Sequence, residues 1–298
     1  MKTNITFIIN PVSGTGNKQE LPAMIERVLA PTAINYEIIF TKYAGHAEEI
    51  ATEKAKSGVD IVVAVGGDGT VNEVGRALVH TSTALGIIPC GSGNGLARHL
   101  GISLVPKKAI ELLIDAVPST IDYGKINNEI LFFCSCGVGF DALVSLKFSQ
   151  ANRRGLMSYC NIALRENFNY KPETYHLITD EGAEVIDKAF VIACGNAAQY
   201  GNDAFIAPHA SIQDGLLDVT LIEPIHFIDT PILSYQLFTK KIDTNKKTRT
   251  LRSKKVQIIR ESEGAMHYDG EPIMAPKDLI IEVIRGGLKV VANSQRKI

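Results

Sequence analysis

The sequence predicts an α/β N-terminal domain with a parallel sheet, followed by a C-terminal antiparallel β-sandwich domain. Three observations carry the prediction. Short apolar runs alternate with helical segments up to about residue 120, and β-rich runs separated by tight turns dominate after Asp122. One early apolar run, Ile61-Val62-Val63-Ala64-Val65, passes straight into Gly66-Gly67-Asp68-Gly69-Thr70 and then a helical pattern.

In order, 5–10 reads as a strand, 18–29 as a helix, 36–41 as a strand and 47–56 as a helix. The buried strand before Gly66 follows, then a helix from about Thr70 to about Val79, a strand at 84–88, and helices near 95–100 and 107–116. Strand–helix alternation of this kind builds a parallel sheet with helices on both faces and ligands at the carboxyl ends of its strands. Beyond Asp122, strands are expected at 130–136, 174–179, 189–194, 216–222, 255–259 and 279–284, with turns at Asp180-Glu181-Gly182 and Asp214-Gly215. Helical segments interrupt them around 155–166 and 226–240.

Composition narrows the function. The chain has 298 residues, 45% of them hydrophobic, enough for two cores. Its 31 Lys and Arg against 32 Asp and Glu leave a net charge of −1, which gives no global reason to bind nucleic acid. The first apolar stretch, 5–9, is too short for a signal peptide and no later run reaches membrane-spanning length, so a cytoplasmic protein is expected. Five cysteines without metal-ligand spacing read as small side chains in a reducing compartment.

The loops at the carboxyl ends of the early strands carry the chemistry. They are Asn10-Pro11-Val12-Ser13-Gly14-Thr15-Gly16, Gly66-Gly67-Asp68-Gly69-Thr70 and Pro89-Cys90-Gly91-Ser92-Gly93-Asn94-Gly95. One glycine-rich loop is weak evidence of a ligand; three at one sheet edge point to a nucleotide site, because backbone without Cβ atoms can approach phosphate and a helix N-terminus faces it. Asp68 is the unusual member. A carboxylate beside phosphate needs a divalent cation or an incoming hydroxyl proton, which indicates phosphoryl transfer; the simpler alternative is a strand-to-helix turn with Asp68 as its cap.

In the second half, Met266-His267-Tyr268-Asp269-Gly270-Glu271-Pro272 reads either as a hairpin turn or as the seat of a general base for a substrate hydroxyl. The stretch 210–218 offers carboxylate and backbone oxygens at short spacing, suited to Mg²⁺ or to a solvated turn. From Lys240 to Lys255 there are eight Lys and Arg against Asp243 alone, a local basic excess that reads as a membrane contact or as a solvated helix end and loop.

Asn10-Pro11-x-Ser13-Gly14, the segment from Gly66 to Glu73, Pro89-x-Gly91-Ser92-Gly93-Asn94-x-Leu96-Ala97-Arg98 and Asp269-Gly270-Glu271 resemble, in order, the motifs of the diacylglycerol kinase catalytic-domain family, which includes bacterial diacylglycerol and YegS-type kinases and the sphingosine and ceramide kinases. The resemblance implies an ATP-dependent lipid kinase with a nucleotide-binding domain at 1–122, a β-sandwich lipid-substrate domain at 123–285, and a last strand, near 288–292 within about 286–298, returning to the first domain. It implies that Asn10, Pro11, Val12, Ser13, Gly14, Thr41, Gly66, Gly67, Asp68, Gly69, Thr70, Val71, Asn72 and Ser92 hold ATP. It also implies Glu271 as proton acceptor and a structural Mg²⁺ at Ser211, Asp214 and Leu216, the first and last through backbone oxygens.

The residues themselves leave the base open among Asp68, Asp269 and Glu271. Where many bacterial diacylglycerol kinases have Asn-Asp, this chain has Asn94-Gly95, closer to sphingosine kinases, so the acceptor stays open between diacylglycerol and a sphingoid or ceramide-type lipid. Asp141, in Gly139-Phe140-Asp141, suits a sphingoid amine or a helix N-cap. Expected partners are a membrane lipid, a peripheral membrane surface met transiently, and no nucleic acid; a homodimer is left open. The alternatives are an NAD kinase-like enzyme, which shares Gly-Gly-Asp-Gly, and a nonenzymatic lipid-binding protein of this fold.

Overall fold

Four of the apolar runs become parallel strands, β1 (Asn4–Ile9), β2 (Asn35–Phe40), β3 (Ile61–Gly66) and β4 (Ala84–Pro89), in the order β2-β1-β3-β4. Every residue of β3 and β4 is buried, which is why both read as unbroken apolar runs, whereas β2 is a half-exposed edge. The helices between them are α1 (Leu21–Leu29), α2 (His46–Lys56) and α3 (Asp68–Leu78), followed by α4 (Gly95–His99) and α5 (Pro106–Glu111). Spacing by four puts Leu21, Ile25 and Leu29 on one buried face of α1. The expected helix at 18–29 opens as a 3₁₀ turn over Lys18–Glu20, α3 begins two residues earlier than Thr70, and α5 stops at Glu111.

The computed structural model describes residues 2–14, 18–151 and 155–293, so Thr15, Gly16 and the expected strand's end at 294–298 lie outside the described residues. The chain divides into two compact units, Met1–Ile121 with Gly286–Ile298, and Asp122–Arg285.

The rest of the chain runs β5 (Ser119–Ile126), β6 (Ile130–Phe132), β7 (Ser135–Gly139), α6 (Phe140–Ser149), α7 (Leu156–Asn167), β8 (Glu173–Thr179), β9 (Gly182–Ala189), β10 (Val191–Gly195) and β11 (Leu217–Ile222). It continues as α8 (Thr230–Phe238), β12 (Thr248–Ser253), β13 (Lys255–Arg260), β14 (Gly264–Tyr268), β15 (Glu271–Ala275) and β16 (Asp278–Val290). Within the second unit, β12-β11-β10-β7-β14-β15 form one antiparallel sheet. The first part of β16 with β13, β8 and β9 forms another. One apolar cluster joins their inner faces, with Tyr175, Leu177, Val256, Ile258 and Leu279 from one sheet and Cys136, Val138, Ile192, Val219 and Met266 from the other. This is the expected sandwich. The other side of the six-stranded sheet carries a second cluster around Phe190, Val191, Ala193 and Ile222, against which Phe140 of α6 and Leu233 and Leu237 of α8 pack.

Several elements differ from expectation. The run 130–136 splits into β6 and β7, which belong to different sheets. The runs at 279–284 and 288–292 are one strand, β16, whose start pairs with β13 and whose Val290 stands opposite Leu85 of β4. Helix α6 and the edge strands β9 and β12 are additional. The stretch from Lys240 to Lys255 is therefore not a solvated helix end and loop throughout: β12 lies inside it. Three of its cations are already matched, Lys247 by Asp229 at 3.0 Å, Arg249 by Glu184 at 2.6 Å and Arg252 by Asp214 and Asp218.

Candidate active site

Parallel pairing brings the carboxyl ends of β1, β3 and β4 side by side, and the loops leave them already hydrogen-bonded. The Asn10 N–H donates to the Val65 carbonyl at 3.1 Å, Cys90 N–H to Gly66 at 2.8 Å, and Thr41 N–H to Ile9 at 2.9 Å. Asn10 then organises the first loop: its Oδ1 accepts the Val12 N–H at 3.1 Å, and its Nδ2 donates to the Thr70 hydroxyl at 3.1 Å, tying this loop to the first turn of α3. Pro11, Val12 and Gly14 are exposed on this loop, Ser13 half-buried.

Glycine is required where the loops touch. A Cβ on Gly91 would stand 2.6 Å from Gly67 Cα, and one on Gly14 would stand 1.6 Å from the Cys90 carbonyl oxygen. The three loops thus meet backbone to backbone. With the N-terminus of α3 beside them they form a cradle of the kind that can take an anion. Val71 N–H already donates to the Gly67 carbonyl at 3.0 Å, Asn72 is buried, and Ser92 is exposed at the tip of the third loop.

Asp68 does cap a helix, but not its own. It lies in the first turn of α3, whose N-cap is Gly67, and its carboxylate accepts the N–H groups of Asn94 at 2.9 Å and Gly95 at 2.7 Å, the start of α4. Asn94, at φ +52°, holds the same loop through a reciprocal pair with Gly91, its Oδ1 accepting at 2.9 Å and its Nδ2 donating at 2.8 Å. The negative charge beside the cradle is therefore also the bond that shapes its third loop.

Lys18 escaped the sequence reading, which placed it at the start of a helix. It is buried, and its ammonium donates to the Asn10 carbonyl at 2.5 Å and to the Ser13 hydroxyl, clamping the first loop. Loss of hydration pulls its pKa below the usual lysine value. The available signal was a lysine directly after a glycine- and hydroxyl-rich loop, the placement by which phosphate-binding loops bring a cation to their ligand.

In the second unit, Asp269 and Gly270, at φ +47° and +83°, make the two-residue turn between β14 and β15. The Asp269 carboxylate accepts three backbone N–H groups at the junction of β6 and β7, from Phe133 at 2.8 Å, Cys134 at 2.7 Å and Ser135 at 3.2 Å. Its role here is to bind the turn to that junction. Glu271, two residues on, opens β15, is exposed, and has a carboxylate with no hydrogen bond or ion pair among the described residues. Of the two, Glu271 has the carboxylate free to accept a proton.

Asp141 is neither an N-cap nor open to a ligand amine. Gly139 is the N-cap of α6, and the buried Asp141 carboxylate accepts the Ala142 N–H at 2.8 Å and the Tyr200 hydroxyl at 2.7 Å, with His267 Nε2 at 3.0 Å. Burial, then the adjacent carboxylate, pushes the Tyr200 phenol well up, so it stays a donor.

Around 211–216, where Mg²⁺ is expected, the Asp214 and Ser211 side chains already have protein partners. Asp214 Oδ1 accepts the Leu216 N–H at 3.0 Å, its Oδ2 is paired with the Arg252 guanidinium, which also reaches Asp218 at 3.4 Å, and Ser211 Oγ accepts the Gln213 N–H at 3.4 Å. Arg252 already supplies the positive charge between the two carboxylates. Arg252→Ala should lower stability by about 1 kcal/mol in urea unfolding, since its half-exposed guanidinium is screened by solvent. Added Mg²⁺ should recover part of the loss in the variant, while chelation leaves the wild type unchanged. A wild-type unfolding midpoint that drops with chelator would contradict the guanidinium's role.

Residues 4–126 match the model of the diacylglycerol kinase catalytic domain, and residues 134–292 that of the YegS C-terminal NAD kinase beta sandwich-like domain. The chain is 32% identical over 228 residues to a diacylglycerol kinase of Mycobacterium tuberculosis (strain ATCC 25618 / H37Rv), covering 74% of this chain and 73% of that one. It is 29% identical over 268 residues to a Salmonella arizonae protein named "Probable lipid kinase YegS", with 88% of both covered. The fold is similar to that of a diacylglycerol kinase from Bacillus anthracis str. Sterne, at TM-score 0.75 and 23% identity over 98% of this chain and 97% of that one. The two family models span the cradle loops and the Asp269-Gly270-Glu271 turn between them: the chain belongs to the diacylglycerol kinase catalytic-domain family, with the YegS-like lipid kinases, and is a kinase enzyme.

Proposed function

We propose that this kinase transfers the γ-phosphoryl group of ATP to a hydroxyl of a membrane lipid, either a diacylglycerol or a lipid of sphingoid or ceramide type. The observation that carries the reading is the meeting of three glycine loops at the carboxyl edge of β1, β3 and β4, where Gly67 abuts Gly91 and Gly14 abuts the Cys90 carbonyl. Backbone packed that closely presents amide N–H groups to phosphate oxygens.

In this reading Asn10 to Gly14, Thr41, Gly66 to Asn72 and Ser92 hold the nucleotide, which arrives as its Mg²⁺ complex. Lys18 fixes the first loop and Asp68 the third, and Glu271 takes the proton of the attacking hydroxyl. Catalysis then comes mainly from positioning and charge neutralisation. The names of the Mycobacterium and Salmonella relatives support a lipid acceptor. The enzyme works from the cytoplasm and meets its acceptor transiently at a membrane surface.

The test is an acceptor panel: γ-labelled ATP and Mg²⁺ with diacylglycerol, monoacylglycerol, phosphatidylglycerol, sphinganine and ceramide. Label is expected in the organic extract with one of these classes. ATP binding without label on any of them would overturn the acceptor class.

A further inference from the structure

Helix α8 is apolar on two sides, yet one of them faces water. Its sequence, Thr-Pro-Ile-Leu-Ser-Tyr-Gln-Leu-Phe, holds no charged residue, and none of its residues is fully buried. Leu233 and Leu237 turn inward onto the cluster beside the six-stranded sheet. Outward stand Ile232, Tyr235 and Phe238, preceded by Phe227 and by Ile228, the last 81% exposed. Phe168, at the end of α7 and 67% exposed, extends the surface: its ring stacks on Phe227 at 4.4 Å, and Asn167 Nδ2 donates to the Thr230 hydroxyl at 3.2 Å. A solvent-facing helix ordinarily carries its charges on the outer side, and a contiguous apolar patch of this kind marks a contact surface.

The charges around it select the partner. In 155–173 and 223–241, the exposed charged side chains described are Arg165, Lys171, Lys240 and Lys241 against Glu173 and Glu223. The one aspartate there, Asp229, is matched by Lys247 at 3.0 Å, and Glu166 is half-buried. Aliphatic and aromatic side chains with a tyrosine at their centre and a net excess of lysine and arginine in the flanking segments suit the interface of an anionic bilayer, where apolar groups enter the headgroup boundary and lysines meet lipid phosphate.

We propose that this face, 227–238 with Phe168, is the surface by which the chain seats on an anionic membrane. The inference rests on the membrane-lipid acceptor proposed above. It moves the contact from the basic stretch Lys240 to Lys255, three of whose cations are already paired, to an apolar surface beside its first two lysines.

The test uses the full chain, sedimented with phosphatidylcholine vesicles with and without phosphatidylglycerol, together with kinase assays on vesicle-borne diacylglycerol and on a short-chain diacylglycerol kept monomeric. Ile228→Ser with Ile232→Ser and Tyr235→Ser removes apolar surface, and Lys171→Glu with Lys241→Glu reverses two of the flanking cations. Each is expected to lower binding to the anionic vesicles at least about tenfold, since two cations at about fivefold each exceed that and three buried apolar side chains contribute as much. Activity on vesicle-borne substrate should fall in parallel while activity on the monomeric substrate is retained. Wild-type binding by both variants would overturn the proposal. So would a wild type that phosphorylates the monomeric substrate yet ignores vesicles, or an apolar variant that dissociates a dimer with vesicle binding intact, which would make the face an interface between copies. Vesicle binding lost in both variants, with no acceptor phosphorylated by any form, would leave the surface standing and remove the lipid-acceptor reading instead.

Discussion

Glu271→Gln is expected to lower kcat by about 10² to 10⁴ while leaving ATP affinity and unfolding unchanged, because it removes basicity and little else. Glu271 is exposed and has no partner among the described residues, so the substitution breaks no bond, and surface changes of that kind stay within about 0.5 kcal/mol. Steady-state kinetics with the preferred lipid, alongside ATP titration calorimetry, separates the two quantities. A fall in kcat of less than about tenfold would place the base elsewhere. Asp269 is poorly suited to replace it: three backbone N–H groups occupy its carboxylate, so Asp269→Asn should act first on stability.

Asp68→Asn should reduce both turnover and stability. One of the two amide groups now donating to the carboxylate, from Asn94 or Gly95, would meet a side-chain NH₂ instead of an acceptor, at a cost of about 1–3 kcal/mol. The third cradle loop loses its anchor and the site loses a negative charge, and preorganised electrostatic contributions of that kind are typically worth about 10²-fold or more in rate. Urea unfolding and kcat measured on the same preparation check the two effects together. Turnover like wild type with a lowered unfolding midpoint would leave Asp68 a loop anchor alone.

The sequence was most legible where one physical constraint acted. Strands β3 and β4, buried on both faces, could only be apolar runs, and Asp269-Gly270 carries the dipeptide that a two-residue turn favours. Edge strands were hidden for the opposite reason. β12, Thr-Arg-Thr-Leu-Arg-Ser, ends a sheet where charged side chains are tolerated, so its strand character lay under its charge. β16 read as two runs because Arg285-Gly286-Gly287 interrupts its apolar pattern, with Gly286 at φ +61°.

At the site, the glycine loops were visible because close backbone approach leaves its mark in composition. What each carboxylate binds was not. Asp68 and Asp269 satisfy amide groups 26 and about 135 residues away, a pairing set by the folded chain and by no local pattern. The same holds for Arg252, 38 residues from the Asp214 it neutralises, and for Asp141, whose partners Tyr200 and His267 come from distant elements.

The most direct test of the central claim follows the γ-phosphoryl group itself. Wild-type chain, γ-labelled ATP and Mg²⁺ would be incubated in one vessel with diacylglycerol and sphingoid-lipid vesicles and with NAD, and the products separated by solvent partition and identified by mass. The account predicts label in a lipid monophosphate, one ADP formed per lipid phosphorylated, and loss of that label with Glu271→Gln. Label appearing in phosphorylated NAD, or no transfer from a folded chain that binds ATP, would contradict it.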